Sequence, residues 1–287
     1  MNTKRQKWNA MITWRTTLIL AAWVGFGSWL SGCQVMRAEF RKTDNRSLTC
    51  NEQMHLDLTT NNGSIIVRGA QVAECTINAE IIAKASTETA AEALANKVDF
   101  DIQQADNNQI IVRTKEPLRQ MGESVSVNFE VTIPEEGQLT LSSRNGAIRV
   151  SHVAGPSLSC VLRNGSIKLQ DVSGDVKVTT HNGSVSAQSI SGNAKITTHN
   201  GGIKLWYSAD APSAPTAELA THNGRIDLTC PKGLSAQVEL VTHNGSIRSE
   251  LPITISGKIN QRTLKGTIGT GEGKLRLVTH NGSIHIR

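Results

Sequence analysis

With 287 residues the chain has room for one large or two small domains around a sizeable core, so size excludes little. The formal charge of +6 sits at the start: Lys4, Arg5, Lys7 and Arg15 precede Cys33 with no acid among them, and from Cys33 onward 26 basic side chains stand against 24 acidic ones. That near-neutral balance gives no overall polyanion footprint, and Trp206, Tyr207, Phe40, Phe100 and Phe129, the aromatics after Cys33, are too few for base-stacking platforms, so no nucleic-acid partner is expected.

The first 15 residues are basic, and Thr16 to Trp29 form a mostly apolar run of 14, too short to span a bilayer but suited to the core of a signal peptide. Leu30-Ser31-Gly32-Cys33 follows and resembles the lipobox of bacterial lipoproteins. The resemblance implies removal of residues 1–32, with a diacylglycerol and an N-acyl chain on Cys33 as the only attached groups. Gln34, where an Asp would retain the protein at the inner membrane, favours the outer membrane in an organism that has one. Residues 33–46 are polar, lack an apolar period and read as a tether.

Residues 47–140 are less regular and read as an N-terminal β-rich part that starts and caps the repeats. Thr89-Ala-Ala-Glu92 has the form of a capping box, and Ala91, Leu94, Ala95 and Val98 mark a short amphipathic helix. Strands are expected over Asp99–Gln104, Gln109–Lys115 and Val125–Ile133.

Residues 141–287 are governed by a repeat. Asn-Gly occurs at Asn62, Asn145, Asn164, Asn182, Asn200, Asn223, Asn244 and Asn281, five times within Thr-His-Asn-Gly, at a period near 20 with variable inserts. Before each corner two alternate positions are apolar, such as Val176 and Val178 or Leu275 and Leu277. Two residues after each Gly stands Ile or Val, from Ile65 to Ile284. Each repeat is therefore two half-buried strands joined at a corner that tolerates positive φ. Two all-β architectures share that phase: an antiparallel hairpin-repeat sandwich and a parallel β-solenoid with a small α+β cap. Near-identity of Thr-His-Asn-Gly once per turn is what stacking permits and a hairpin does not require, so the solenoid is preferred.

The Asn-Gly-Ser-Ile corner, repeated after an exported N-terminus, and Val-Thr-Ile-Pro134 leading into the regular repeats resemble the bacterial β-strand-repeat family of adhesin-like domains, a domain of unknown function. The resemblance covers residues 47–287 and implies architecture. It supplies no catalytic motif.

His181, His199, His222, His243 and His280 share one repeat position, where Asn61, Arg144 and Arg163 stand in the other three. In a solenoid they form a column, and neighbouring imidazoles sharing a soft divalent metal is one reading; a stackable turn residue amplified by duplication is the other. Trp206 and Tyr207 begin a Pro-rich insert and are candidates for partner contact or for covering a coil edge. Cys50 and Cys75 bracket the first Asn-Gly unit and suit a disulfide in an oxidising compartment, while Cys160 falls on the inward phase. The segment Glu250 to Gly273 reads as an extra irregular coil. No catalytic constellation emerges, so the expectation is not an enzyme but a lipid-anchored binding or scaffold module of the cell envelope, touching an envelope polymer, a protein or its own copies. The alternatives are metal capture by the histidines and a β-helix enzyme acting on polysaccharide.

Overall fold

The computed structural model describes residues 37–105, 108–256 and 262–287, so the signal segment, Cys33 and the start of the expected tether lie outside the described residues. In chain order the elements are β1 (Ala38–Thr49), β2 (His55–Asn62), β3 (Ile65–Ala70), β4 (Glu74–Ala85), α1 (Glu88–Asn96), β5 (Asp99–Ala105), β6 (Gln109–Lys115) and β7 (Ser124–Pro134). Five strand pairs with Asn-Gly corners follow: β8 (Gln138–Asn145) and β9 (Ile148–Val153), β10 (Ser157–Asn164) and β11 (Ile167–Val172), β12 (Asp175–Asn182) and β13 (Val185–Ile190), β14 (Ala194–Asn200) and β15 (Ile203–Tyr207), β16 (Thr216–Asn223) and β17 (Ile226–Thr229). The chain ends with β18 (Ala236–Asn244), β19 (Ile247–Ser249), β20 (Thr254–Ile255), β21 (Thr263–Ile268), β22 (Gly273–Asn281) and β23 (Ile284–Ile286).

The two strands flanking a corner lie in different sheets and pair with their equivalents in neighbouring repeats. Val176, Val178 and Asn182 of β12 stand level with Ala194, Ile196 and Asn200 of β14, and with Leu158, Cys160 and Asn164 of β10, in parallel register. This is the solenoid arrangement, and the hairpin alternative is set aside. Alternation does the sorting. Side chains at every second position of both sheets point between them, and the apolar set read from sequence is buried there: Leu58, Leu141, Ile196, Leu240 and Leu277 are fully enclosed, as are Ile65, Ile148 and Ile284. Ile247 is half-buried because its rung is the last in the stack.

Stack order departs from chain order at both ends. One sheet runs β1-β4-β7-β3-β9-β11-β13-β15-β17-β23-β19; the other runs β20-β21-β18-β22-β16-β14-β12-β10-β8-β2-β6-β5. The rung β6/β7, which has no Asn-Gly, thus lies outside β2/β3, and the last rung of the chain, β22/β23, is inserted between β16/β17 and β18/β19. The region read as starting and capping the solenoid contains a regular rung, β2/β3, whose Asn62 stands level with Asn145.

Residues 38–49, assigned by sequence mostly to the tether, form β1 instead, antiparallel to β4 from Ala38 opposite Ala85 to Thr49 opposite Glu74. The apolar period is missing because β1 is an edge strand held by charges: Arg41 bonds Glu80 at 2.7 Å and Glu39 at 2.7 Å, and Lys84 reaches Glu39 at 2.9 Å. Such an edge also discourages pairing with other sheets. The Lys84 ammonium holds Glu39 below the ordinary carboxylate range, and the Asn128 amide, with Arg41, does the same for Glu80. Carboxylates depressed in the fold contribute stability that is present above their ordinary range and lost as pH falls through the depressed values. Thermal melts of the wild type should therefore drop on acidification more steeply than those of Glu80→Gln. Equal slopes would remove Glu80 from this account.

Helix α1 is capped by Thr87, whose hydroxyl accepts from the Ala90 amide at 3.2 Å, two residues before the box read from sequence. Ala91, Leu94 and Ala95 are its buried face, packed against β1 and β4, and Phe100 meets Phe129 edge-on at 5.8 Å close by. At the opposite end, Glu250 to Gly273 is more ordered than an irregular coil: β21 runs antiparallel to β18 and β20 adds to β21.

Candidate binding surface along the Asn-Gly edge

Stacking brings every corner to within one strand spacing of the next, about 4.8 Å. A Cβ on Gly165 would strike the Gly146 carbonyl, and one on Gly183 the Gly165 carbonyl, so the column is glycine because neighbouring backbones leave no room for a side chain. The preceding asparagines form a continuous amide ladder. Asn164 donates to Asn145 at 2.8 Å, Asn182 to Asn164 at 2.9 Å and Asn200 to Asn182 at 2.8 Å; the chain of bonds runs from Asn62 to Asn244 through Asn223 and Asn281.

Beneath it a threonine file ties each rung to the one before. The Thr198 hydroxyl donates to the Gly183 carbonyl at 2.9 Å, Thr221 to Gly201 at 2.9 Å, Thr279 to Gly224 at 2.9 Å and Thr242 to Gly282 at 2.8 Å. Thr180 is as buried, yet its hydroxyl has no partner among the described residues. Thr198→Val is expected to cost about 1–2 kcal/mol and Thr180→Val close to nothing, read from urea unfolding. A cost at Thr180 equal to that at Thr198 would show that the hydroxyl bond is not what matters.

The five histidines stand in file, in the order 181, 199, 222, 280, 243. Ring centroids are 4.7–5.0 Å apart, and the first four rings are parallel to within 5°. Parallel stacked rings direct their in-plane nitrogens side by side, not toward a common point, so the geometry favours the stackable turn residue over the metal-sharing reading. Among the described residues no group of three His, Cys, Asp or Glu converges on a metal-sized site. Beyond His181 the file continues as Arg163 and Arg144, both exposed. On the other sheet, just past the corners, Arg149 and Lys168 stand opposite each other across the ladder, with Ser186 and Lys204 next in file. All three of those cations are exposed.

The aromatic pair divides. Trp206 is half-buried on the outer face, whereas Tyr207 points into the core at 7% exposure, its hydroxyl without a partner among the described residues and its acidity suppressed by burial. Alternation within β15 sends adjacent side chains to opposite faces, so the two rings cannot form one exposed patch. Cys50 lies beside the start of β4, where Cys75 is buried; both are free thiols, and burial pushes Cys75 up to about 12. Cys160 sits in the core as the inward phase required, with its thiol raised to about 12 by burial.

The family model of Toastrack DUF4097 matches residues 53–208 and, overlapping, residues 123–287. The chain belongs to the Toastrack DUF4097 family. Two overlapping matches are what a Toastrack chain of interchangeable rungs should give. Among solved structures, a putative cell adhesion protein from Clostridium sporogenes ATCC 15579 aligns over 86% of this chain and 99% of its own, with 11% identity and a TM-score of 0.37. A putative adhesin from Bacteroides fragilis NCTC 9343 aligns over 86% of this chain and 97% of its own, with 11% identity and a TM-score of 0.39. No curated protein matches the chain significantly.

Proposed function

We propose that this Toastrack chain is a binding or scaffold module of the cell envelope, adhesin-like in action and held to a membrane by the lipid on Cys33. The observation that carries the reading is the filing of outward side chains. Asn recurs at every corner, with His or Arg before it at seven of the eight, along one stacked edge, and this suits a repetitive or extended partner better than a single reacting atom. That geometry favours binding over polysaccharide cleavage, which calls for carboxylates, or Arg and Lys, converging on one bond in a cleft built by long loops. The names of the two structural neighbours describe those proteins; here the reading rests on the edge itself.

The anchor rests on the order of charged start, apolar run and Leu30-Ser31-Gly32-Cys33. Acyl chains contributing about 0.8 kcal/mol per buried methylene make two or more of them a lasting attachment. Cells fed a clickable palmitate analogue should label the wild-type chain and leave Cys33→Ser unlabelled, with the variant leaving the membrane fraction. Labelling of the variant would refute the anchor. The released Cys33→Ser protein, passed over envelope fractions, should be retained; passage without retention would refute the binding role. In the same oxidising compartment Cys50 and Cys75 are proposed to pair, contributing about 2–4 kcal/mol. Non-reducing peptide mapping should recover the linked pair, and alkylation of both thiols in freshly exported protein would exclude it.

A further inference from the structure

The near-neutral balance of the mature chain conceals a segregation of charge by rung. Between Gln138 and Tyr207, the four rungs from β8/β9 to β14/β15, seven Lys and Arg stand against two Asp. Neither acid faces the corners: Asp171 lies 3.4 Å from His152, and Asp175 accepts from Asn193 at 3.0 Å, both at the opposite turn. Elsewhere in the stack several charges on neighbouring strands are matched in sign, as in Lys195 with Glu218 at 2.9 Å and Arg276 and Lys265 with Glu239 at 3.2 and 2.7 Å.

On these rungs the matching fails chiefly along the Asn-Gly edge; the other like-charged pair, Lys177 level with Lys195, lies away from it, and Lys195 is held by Glu218 at 2.9 Å. Arg149 is opposite Lys168 on one sheet, and Arg144 occupies the rung position next to Arg163 on the other. Like charges directly opposite each other destabilise a sheet. All four are exposed, and no acid lies within ion-pair reach of them among the described residues. The result is two files of cations, one on each side of the Asn ladder, repeating at the strand spacing of about 4.8 Å.

We propose that this edge binds a linear acidic polysaccharide laid along the stack axis, its carboxylates meeting guanidinium and ammonium groups rung by rung. The inference deepens the binding-module reading and rests on it. Arginine and carboxylate form bidentate, charge-assisted hydrogen bonds, and a polymer that engages several rungs gains by effective concentration what each exposed contact lacks. A bilayer, being flat, meets one sheet face and leaves the other file unused. A nucleic acid would call for stacking rings beside the cations, and Trp206 is the one aromatic on the outer faces of these rungs. Sequence analysis missed the site because charge was summed over the whole chain, whereas a count by repeat exposes it.

The test uses the full-length chain in detergent micelles, with immobilised polygalacturonate as probe and neutral dextran, duplex DNA and phosphatidylglycerol vesicles as the other arms. The variant carries Arg144→Gln, Arg149→Gln, Arg163→Gln and Lys168→Gln; a control removes as many exposed charges away from the corners, at Lys97, Arg119, Lys232 and Lys274. Wild type and control should bind polygalacturonate, with affinity falling about tenfold or more between 50 and 200 mM salt, and the edge variant should lose about tenfold or more at low salt. Its thermal midpoint should be no lower than that of wild type, which separates lost binding from lost fold. Equal binding by variant and control, equal binding to dextran, no binding by the wild type, or tighter binding to DNA or vesicles each overturns the proposal. Retention of the wild type on envelope fractions, without polygalacturonate binding, would leave the module reading standing while this inference fell.

Discussion

Gly165→Ala is expected to cost more than about 4 kcal/mol, far above the usual effect of adding one methyl group. The new Cβ would strike the Gly146 carbonyl, which belongs to backbone that cannot retreat, because Gly146 is itself stacked on Gly63. Gly165 also has a φ of +132°, disfavoured for any side chain, so crowding and backbone strain act together. The contrast is Gly233→Ala. Its φ of +69° is left-handed, but a Cβ there meets nothing within 4 Å, and the expected cost is about 1–2 kcal/mol. Urea unfolding of both variants decides the matter. Similar costs would mean that conformation alone, not the approach of neighbouring rungs, makes the corners glycine.

The amide ladder should show a dependence on position. Asn164→Ala removes two bonds, the donation to Asn145 and the acceptance from Asn182, and leaves the half-buried Asn145 acceptor without its partner, while the exposed Asn182 amide can turn to water. At about 1 kcal/mol per bond, with a further penalty for the orphaned acceptor, a loss of about 2–3 kcal/mol is expected. Asn244 ends the ladder and makes one such bond, to Asn281, so Asn244→Ala should cost about half as much. Equal losses at the two positions in denaturant melts would mean that the ladder does not act as a connected file.

Much of this was legible from the residues. The apolar phase around Asn-Gly placed Val176, Val178 and Ile203 in the core, and the recurrence of Thr-His-Asn-Gly identified stacked strands over hairpins, because identical residues at one position are what parallel register brings together. Three things were not legible, each for a physical reason. Residues 38–49 lack an apolar period because an edge strand held by Arg41, Glu39 and Glu80 needs none. Trp206 and Tyr207 could be read only as a pair, for partner contact or for covering a coil edge, because adjacency in sequence says nothing of face until the strand is known. The order of rungs escaped because every Asn-Gly repeat is compatible with every other, so local pattern does not specify which neighbour each one takes.

That interchangeability bears on how the molecule is made. The strand β18 is synthesised before β22 and carries the same Thr-His-Asn-Gly, so direct closure of β18 on β16 is a decoy with good register, whereas the native partner of β16 emerges only after β18. The link from Cys230 to Ser235 and the excursion after Glu250 give the chain the slack to hold that slot open. Assembly at this end therefore cannot proceed as a zipper from first residue to last. The segment of β22 and β23 acts as a key that must enter an already formed slit, and a chain lacking it is expected to mispair in preference to merely fraying.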